Sequence, residues 1–344
     1  MAASFDFRKR LGSGHFGEVW HAVDNGLGCD IALKCIPPDK IINSANLHQE
    51  AQALKASEHT NIVRVNETGT LSDGRVYVSM EYLPRGSVED EASGGLLGLP
   101  RAKQLMVDVL RGLAHAHRQG IVHRDIKPAN IMIGNAGEGK LSDFGLAVPD
   151  IASVDASQFK QYQYRLHLAP EVRKMTDYTM VSDIYACGVT LYRLVNGDTY
   201  LPSIDLAEVT RRARRGEFPP RDHYRYFIPT CLRRFINRAL NVEPEERYQY
   251  ADEMRHVLEQ QSLLVAWNEK SIPDGTLWEG LSVHGREYML SLQQTLRTGW
   301  CIEFKTGVNG KLRRRSVDCY SKMTKAKSHL MARRILQRVT QTDA

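Results

Sequence analysis

Residues 123–130 read His-Arg-Asp-Ile-Lys-Pro-Ala-Asn and bring an imidazole, a guanidinium, a carboxylate, an ammonium and a carboxamide into one short stretch. Thirteen residues beyond Asn130, Asp143-Phe144-Gly145 sets an acid before an apolar anchor and a hinge. That is too much polar chemistry for a buried strand and an odd mixture for a passive loop. Asp125 can accept a proton, Lys127 can neutralise a phosphate, and Asn130 with Asp143 offers oxygen donors suited to a divalent cation. Together these are the parts that phosphoryl transfer needs.

The elements that must position them are legible on either side. Gly12, Gly14, Gly17 and Val19 form a GxGxFGxV pattern, in which glycines let backbone amides close over phosphates, although glycine pairs also mark ordinary hairpin turns. Residues 31–34 read as a short apolar strand that carries Ala32 and ends in Lys34. Residues 46–57 fit a helix carrying Glu50, with Leu47, Ala51 and Leu54 on one face. An exposed pairing of Lys34 with Glu50 would be worth only a fraction of a kcal/mol, so its interest lies in chemistry. Residues 76–83 are an apolar strand, and 84–100 should be loop with at most a short helix. Residues 101–119 predict an amphipathic helix, opened by Pro100 and ended by Gly120, that buries Leu105, Met106, Val109, Leu110, Leu113 and Ala116. A short strand at 131–133, an apolar helix at 182–196 stopped by Gly197, and helices at 230–240 and 250–264 complete a helical lobe.

Composition bounds the answer. A chain of 344 residues with 42% hydrophobic and 25% charged residues suits an ordinary globular protein of two lobes plus an appendage. No run of eighteen apolar residues occurs, so no membrane partner is expected, and the first residues lack the apolar core of a signal peptide. Six scattered cysteines without a CxxC pair argue against a disulfide framework or zinc site and for a reducing cytoplasm. The net charge of +6 is unevenly placed. Residues 266–344 carry fourteen Lys/Arg against seven Asp/Glu, while residues 1–265 carry 32 against 33.

In this order and at these spacings the motifs resemble the protein-kinase family, specifically its serine/threonine branch, and the resemblance covers residues 5–264. It implies an α+β bilobal kinase fold, with an antiparallel β-sheet N-lobe at 1–83 and a mainly α-helical C-lobe at 84–264. The activity implied is transfer of the γ-phosphoryl of ATP, with Mg²⁺, to a protein hydroxyl, with autophosphorylation. By resemblance Lys34 and Glu50 align the ATP phosphates, Asp125 is the base, Lys127 neutralises the γ-phosphoryl, and Asn130 and Asp143 hold the metal. Met80 would be the gatekeeper. The backbone of Glu81 and Leu83 would meet the adenine edge, with Val19, Ala32 and Met132 lining the nucleotide site. Lysine at 127, followed by Pro-Ala-Asn, matches serine/threonine rather than tyrosine kinases.

The same resemblance assigns supporting roles. His123, Phe144, Leu54 and Val65 would form an apolar spine linking the lobes, and Gly145 the hinge. Asp183 would support the catalytic loop, and Arg247 would pair with Glu171 of the Ala169-Pro170-Glu171 signature. Arg124 beside the base suggests control by phosphorylation of the segment, with Ser153, Ser157, Tyr162 and Tyr164 as candidates. One departure stands out. Where the family reads GTxxYxAPE, Tyr164 replaces the threonine that bridges base and lysine, which leaves room for an unusual substrate or a self-blocked resting state. The rival readings are a pseudokinase scaffold, which the intact motifs disfavour, and a nucleic-acid-binding regulatory protein.

The second rival rests on the basic C-terminal region. Residues 265–284, broken by Pro273, Asp274 and Gly275, read as a linker, and 285–344 as a small α/β accessory domain. In it, 285–296 suggests a helix with Met289, Leu292 and Leu296 on one side, 300–305 and 311–320 two strands, and 324–339 a helix. Leu330, Met331, Ile335 and Val339 form the expected inner face of that last helix. A hairpin and helix studded with basic residues resemble small β-ribbon DNA-binding arms, with Arg313, Arg314, Arg315, Lys322, Lys325 and Lys327 as candidate nucleic-acid contacts. A regulatory module with a solvated basic face is the plainer alternative.

Overall fold

The computed structural model describes residues 4–14, 17–38, 58–92, 96–144, 165–172, 177–201, 203, 205–295 and 299–344. Strands β1 (Phe5–Gly14), β2 (Gly17–Asp24), β3 (Cys29–Ile36), β4 (Val65–Thr70) and β5 (Val76–Glu81) form an antiparallel sheet in the order β1-β2-β3-β5-β4. Alternation of side chains across the pleat gives it two faces. Ala22, Ile31, Leu33, Cys35 and Tyr77 make a small core on one side, while Ala32, Val78 and Met80 join the main core that runs on into the helices. Gly17 sits at φ +133, where a Cβ would meet Cys35 O at 2.1 Å, so only glycine lets β2 start there.

The second lobe begins with α1 (Val88–Ala92) and α2 (Leu99–Arg118), whose expected stripe is fully buried. Gly120 at φ +76 turns the chain into the 123–130 loop, as anticipated. Strands β6 (Ile131–Ile133) and β7 (Gly139–Leu141) form the hairpin before Asp143. Helix α3 (Met180–Asn196) starts at a capping box in which Thr179 and Ser182 exchange hydrogen bonds, and stops at Gly197. Helices α4 (Leu206–Arg214), α5 (Thr230–Ala239) and α6 (Ala251–Glu259) follow. α6 ends earlier than the expected 264, because residues 265 onward are drawn into a sheet.

That sheet corrects the reading of the C-terminal region. Residues 265–284 are no linker: β8 (Val265–Ile272) and β9 (Gly275–Ser282) are a hairpin, with Asp274 at φ +59 in its turn. The predicted helix at 285–296 is instead β10 (Glu287–Thr295), paired on both sides. Met289 and Leu292 fit a helical period, but Tyr288, Leu290 and Leu292 also alternate, and these three are buried. Short apolar runs do not separate the two periods until neighbours supply the ladder. β11 (Gly299–Gly307) appears as expected. The second strand shrinks to β12 (Arg313–Arg314) and β13 (Tyr320–Met323), both against β11. The order β12-β11-β10-β9-β8 is covered on one face by α7 (Lys325–Thr342), whose inner side is Ala332, Ile335, Leu336 and Val339. Leu330, expected inside, is 49% exposed.

The C-terminal sheet shares one continuous core with the helical lobe. Tyr226 stacks on Trp278 with centroids 5.7 Å apart. Gln337 Nε2 donates to the carbonyls of Tyr226 and Ile228, and Arg225 pairs with Glu269 at 3.0 Å. Gln and Arg satisfy polar backbone and carboxylate groups at this boundary, leaving the aromatic pair to supply apolar burial.

Candidate active site

The 123–130 loop is shaped by one buried carboxylate. Asp183, 1% exposed on α3, accepts from His123 N–H (2.8 Å), Arg124 N–H (2.9 Å) and His117 Nε2 (2.9 Å). Those two backbone bonds hold Arg124 at φ +71, a left-handed conformation that a non-glycine residue adopts at a cost. The turn aims Asp125 outward, with its side chain 36% exposed. Lys127 Nζ donates to Asp125 Oδ2 at 2.7 Å, and Asn130 Nδ2 donates to the same oxygen and to Asp125 O, both at 2.8 Å. Asp125, Lys127 and Asn130 are therefore one hydrogen-bonded group.

His123 has the opposite environment. It is fully buried, its Nε2 donates to Ser142 O at 3.0 Å, and its Nδ1 accepts from Asp125 N–H. Burial holds its pKa below the usual imidazole range, outweighing the acids nearby. Both ring nitrogens are occupied, so the imidazole is a strut and not a base. Its ring lies 4.5 Å from that of Phe144, and Val65 is buried as expected of the spine. Leu54 and Gly145 lie outside the described residues.

From the other lobe, Lys34 on β3 reaches Asp143, with Nζ 2.8 Å from Oδ1. Burial pushes the Asp143 pKa up, but the Lys34 ammonium outweighs it and holds the carboxyl below the usual range. Asp143 sits at φ +57, beside Ser142, whose N–H donates to Asn130 O at 2.9 Å. Among the described residues, Asn130 Oδ1 and Asp143 Oδ2 take no hydrogen bond. Two uncommitted oxygens on neighbouring segments suit Mg²⁺, which keeps waters and phosphate oxygens for its other positions. Among the described residues, no group of three or more His, Cys, Asp or Glu could form an all-protein cage.

Gly12 and Gly17 flank the β1–β2 turn, with Gly14 paired to Gly17 and Val19 opposite Lys34. Ala32 lies opposite Met80, Leu83 is buried, and Met132 is half-buried on β6. Glu81 is more engaged than its sequence suggests. Its N–H donates to Arg64 O, and its carboxylate accepts from Lys140 Nζ and Arg64 N–H. Glu50, Ser153, Ser157, Tyr162 and Tyr164 lie outside the described residues. Arg247 forms the expected bidentate pair with Glu171, at 2.8 and 2.7 Å, and its remaining donors meet the carbonyls of Asn241, Val181 and Val242.

Two residues of this region were missed at the level of sequence. His117, buried near the end of α2, completes the donors that meet Asp183; its position carried no motif. His167, buried in the segment before Ala169, lines a small cavity with Asp125, Leu168 and Tyr178. Burial, with Arg193 nearby, keeps its imidazole neutral.

A β-sheet lobe bearing a lysine, set over a helical lobe bearing this aspartate-lysine-asparagine loop, has the architecture of the protein-kinase fold. Residues 5–260 match the protein kinase domain family, and the chain belongs to it. It is 32% identical to putative CBL-interacting protein kinase 13 of Oryza sativa subsp. japonica over 255 residues, 72% of this chain and 48% of that protein. A probable serine/threonine-protein kinase of Streptomyces coelicolor is 32% identical over 265 residues, 74% of this chain and 39% of the relative. CBL-interacting serine/threonine-protein kinase 19 of Arabidopsis thaliana is 31% identical over 263 residues, 74% and 53%. The chain thus spans about half the length of these curated relatives, or less.

Proposed function

We propose that the chain is a serine/threonine protein kinase that transfers the γ-phosphoryl of ATP to a protein hydroxyl. The observation that carries this is the convergence of Asp125, Lys127 and Asn130 in one hydrogen-bonded group, with Asp143 held by Lys34 across the cleft. Asp125 orients the acceptor hydroxyl and takes its proton, and Lys127, already beside it, offsets charge on the transferring group. Asn130 Oδ1 and Asp143 Oδ2 would hold Mg²⁺, which when bound supplies positive charge against the phosphate oxygens. Lys34 orients the phosphates from above. Any contact of Glu81 with the adenine edge falls to its carbonyl, because its N–H is already used. With purified protein, labelled ATP and a serine- or threonine-containing substrate, transfer is expected, and chelation of Mg²⁺ should remove it. Absence of transfer at any Mg²⁺ concentration would favour the scaffold reading.

A second reading concerns the C-terminal sheet and helix, residues 265–344, as an accessory unit, and one observation favours it. β12 and β13 both line the outer edge of β11, so exposed Arg313, Arg314, Lys322, Lys325 and Lys327 gather along one side of the sheet. Arg315 is partly neutralised by Asp318 at 3.2 Å. This edge suits a phosphate backbone, and the partner proposed is nucleic acid. Because the unit shares its core with the helical lobe, the test uses the full chain. Duplex binding should weaken steeply with salt, and replacing Arg313 and Arg314 by alanine should flatten the log–log salt slope by about 2. No duplex affinity at physiological salt would leave the edge as a solvated face that discourages strand pairing.

A further inference from the structure

Clusters of basic residues are not confined to the C-terminal region. Helix α4 reads Leu-Ala-Glu-Val-Thr-Arg-Arg-Ala-Arg and runs on into Arg215, placing four arginines in five positions. Its inner face is apolar. Val209 and Ala213 form a small cluster with the fully buried Phe218, and Leu166 packs against it. Leu166 belongs to the short turn Arg165–His167, the segment that leads into Ala169-Pro170-Glu171. Farther along the helix, Arg214 Nε donates to Pro170 O at 3.4 Å. The helix is therefore seated along residues 166–170. That segment reaches the chemistry on its other side, since His167, Leu168 and Ala169 line one small cavity with Asp125. The order in space is Asp125, then 166–170, then α4.

The arginines divide into two sets. Arg211 and Arg212 both hold Glu208, which uses its two oxygens on them, so these three charges largely satisfy one another. Arg214 and Arg215 are exposed and have no carboxylate within ion-pair distance among the described residues. A cation at a helix C-terminus is favoured by the helix dipole, but that requirement is local and does not call for two adjacent arginines facing solvent. Guanidinium groups are weakly hydrated and forked to match carboxylates, so a pair without a carboxylate partner is suited to bind acidic side chains.

We infer that Arg214 and Arg215 on α4 form a docking ridge that selects protein substrates carrying an acidic segment within a few residues of the phosphorylated serine or threonine. This rests on the kinase reading above and gives it a substrate class. Residues 166–170 lie between Asp125 and α4, so a polypeptide whose hydroxyl reaches Asp125 along this side passes α4. Its acidic side chains then meet guanidiniums that no carboxylate among the described residues already holds. Arg214 and Arg215 touch no reacting atom, so their contribution falls on substrate affinity and appears in KM.

The test uses the full chain, ATP with Mg²⁺, and three peptides with the same acceptor. One has neutral flanks, one has three glutamates before the acceptor, and one has three after it. One of the acidic peptides should be preferred over the neutral one by about 3- to 20-fold in kcat/KM, carried by KM, as expected for two partly solvated ion pairs. The preference should shrink as salt rises. The double variant Arg214→Ala with Arg215→Ala should bring the ratio close to one, while Arg214→Lys with Arg215→Lys keeps most of it. Equal use of neutral and acidic peptides, or a preference that survives the double alanine variant, would overturn the inference alone. Failure to phosphorylate any of the three would overturn the kinase reading and the inference with it.

Discussion

Asp125→Ala should lower kcat by about 10²–10⁴-fold, the usual cost of losing a positioned general base, while ATP affinity changes little. Asp125 sits on the only stretch of the 123–130 loop whose carboxylate is both gripped and open. Lys127 and Asn130 fix its Oδ2, and its side chain remains 36% exposed towards an incoming hydroxyl. No other group there can take over. The His123 imidazole is buried with both nitrogens occupied, and Asp143 is held by Lys34 through Oδ1 with Oδ2 placed for the cation. Because Asp125 is not part of the core, the variant should melt close to the parent protein. Single-turnover transfer, measured beside nucleotide affinity, separates the chemical step from binding. Turnover within threefold of the parent would mean that a different residue orients the acceptor.

Asp183→Ala should damage both stability and rate, for a different reason. Its carboxylate accepts from the His123 and Arg124 N–H groups, and it also fixes His117. Leaving buried donors unsatisfied costs about 1–3 kcal/mol each, so a loss of about 2–6 kcal/mol is expected on unfolding. Relaxation of the loop offsets part of that, since Arg124 no longer needs to remain at φ +71. The same relaxation moves Asp125 away from Lys127 and Asn130. At temperatures where the variant is still folded, kcat should therefore remain depressed while nucleotide affinity is largely kept. Asp183→Asn, which retains one acceptor oxygen, should fall between the two. A variant that is destabilised yet fully active when folded would show that Asp183 supports the helix and not the loop.

Much of this site is contiguous in sequence, which is why it was legible. Asp125, Lys127 and Asn130 are spaced so that any tight turn brings them together, and the β6–β7 hairpin returns the chain to Asp143 within a few residues. α2 and α3 were equally readable, because a long apolar stripe with a start and a stop signal leaves little choice of conformation. The C-terminal sheet was harder. Residues 287–295 satisfy both helical and strand periods over their length, and only pairing with β9 and β11 decides between them. Pro273 and Asp274 looked like the middle of a linker because a hairpin turn and a linker use the same residues.

The sequence by itself determined the chemical inventory, the order of the lobes and the candidate residues for phosphate, since these depend on residue type and short spacing. Tertiary structure decided which distant groups serve them. Asp183 collects donors from positions 117, 123 and 124, and Arg247 collects Glu171 together with three carbonyls, through packing that no local period encodes. Structure also decided where charge is uncompensated. Summed over residues 1–265 the charges nearly cancel, yet folding pairs Glu208 with Arg211 and Arg212 and leaves Arg214 and Arg215 exposed beside residues 166–170. Electrostatic attraction acts over a few ångströms in solvent, so the partner that matters is the neighbour in space.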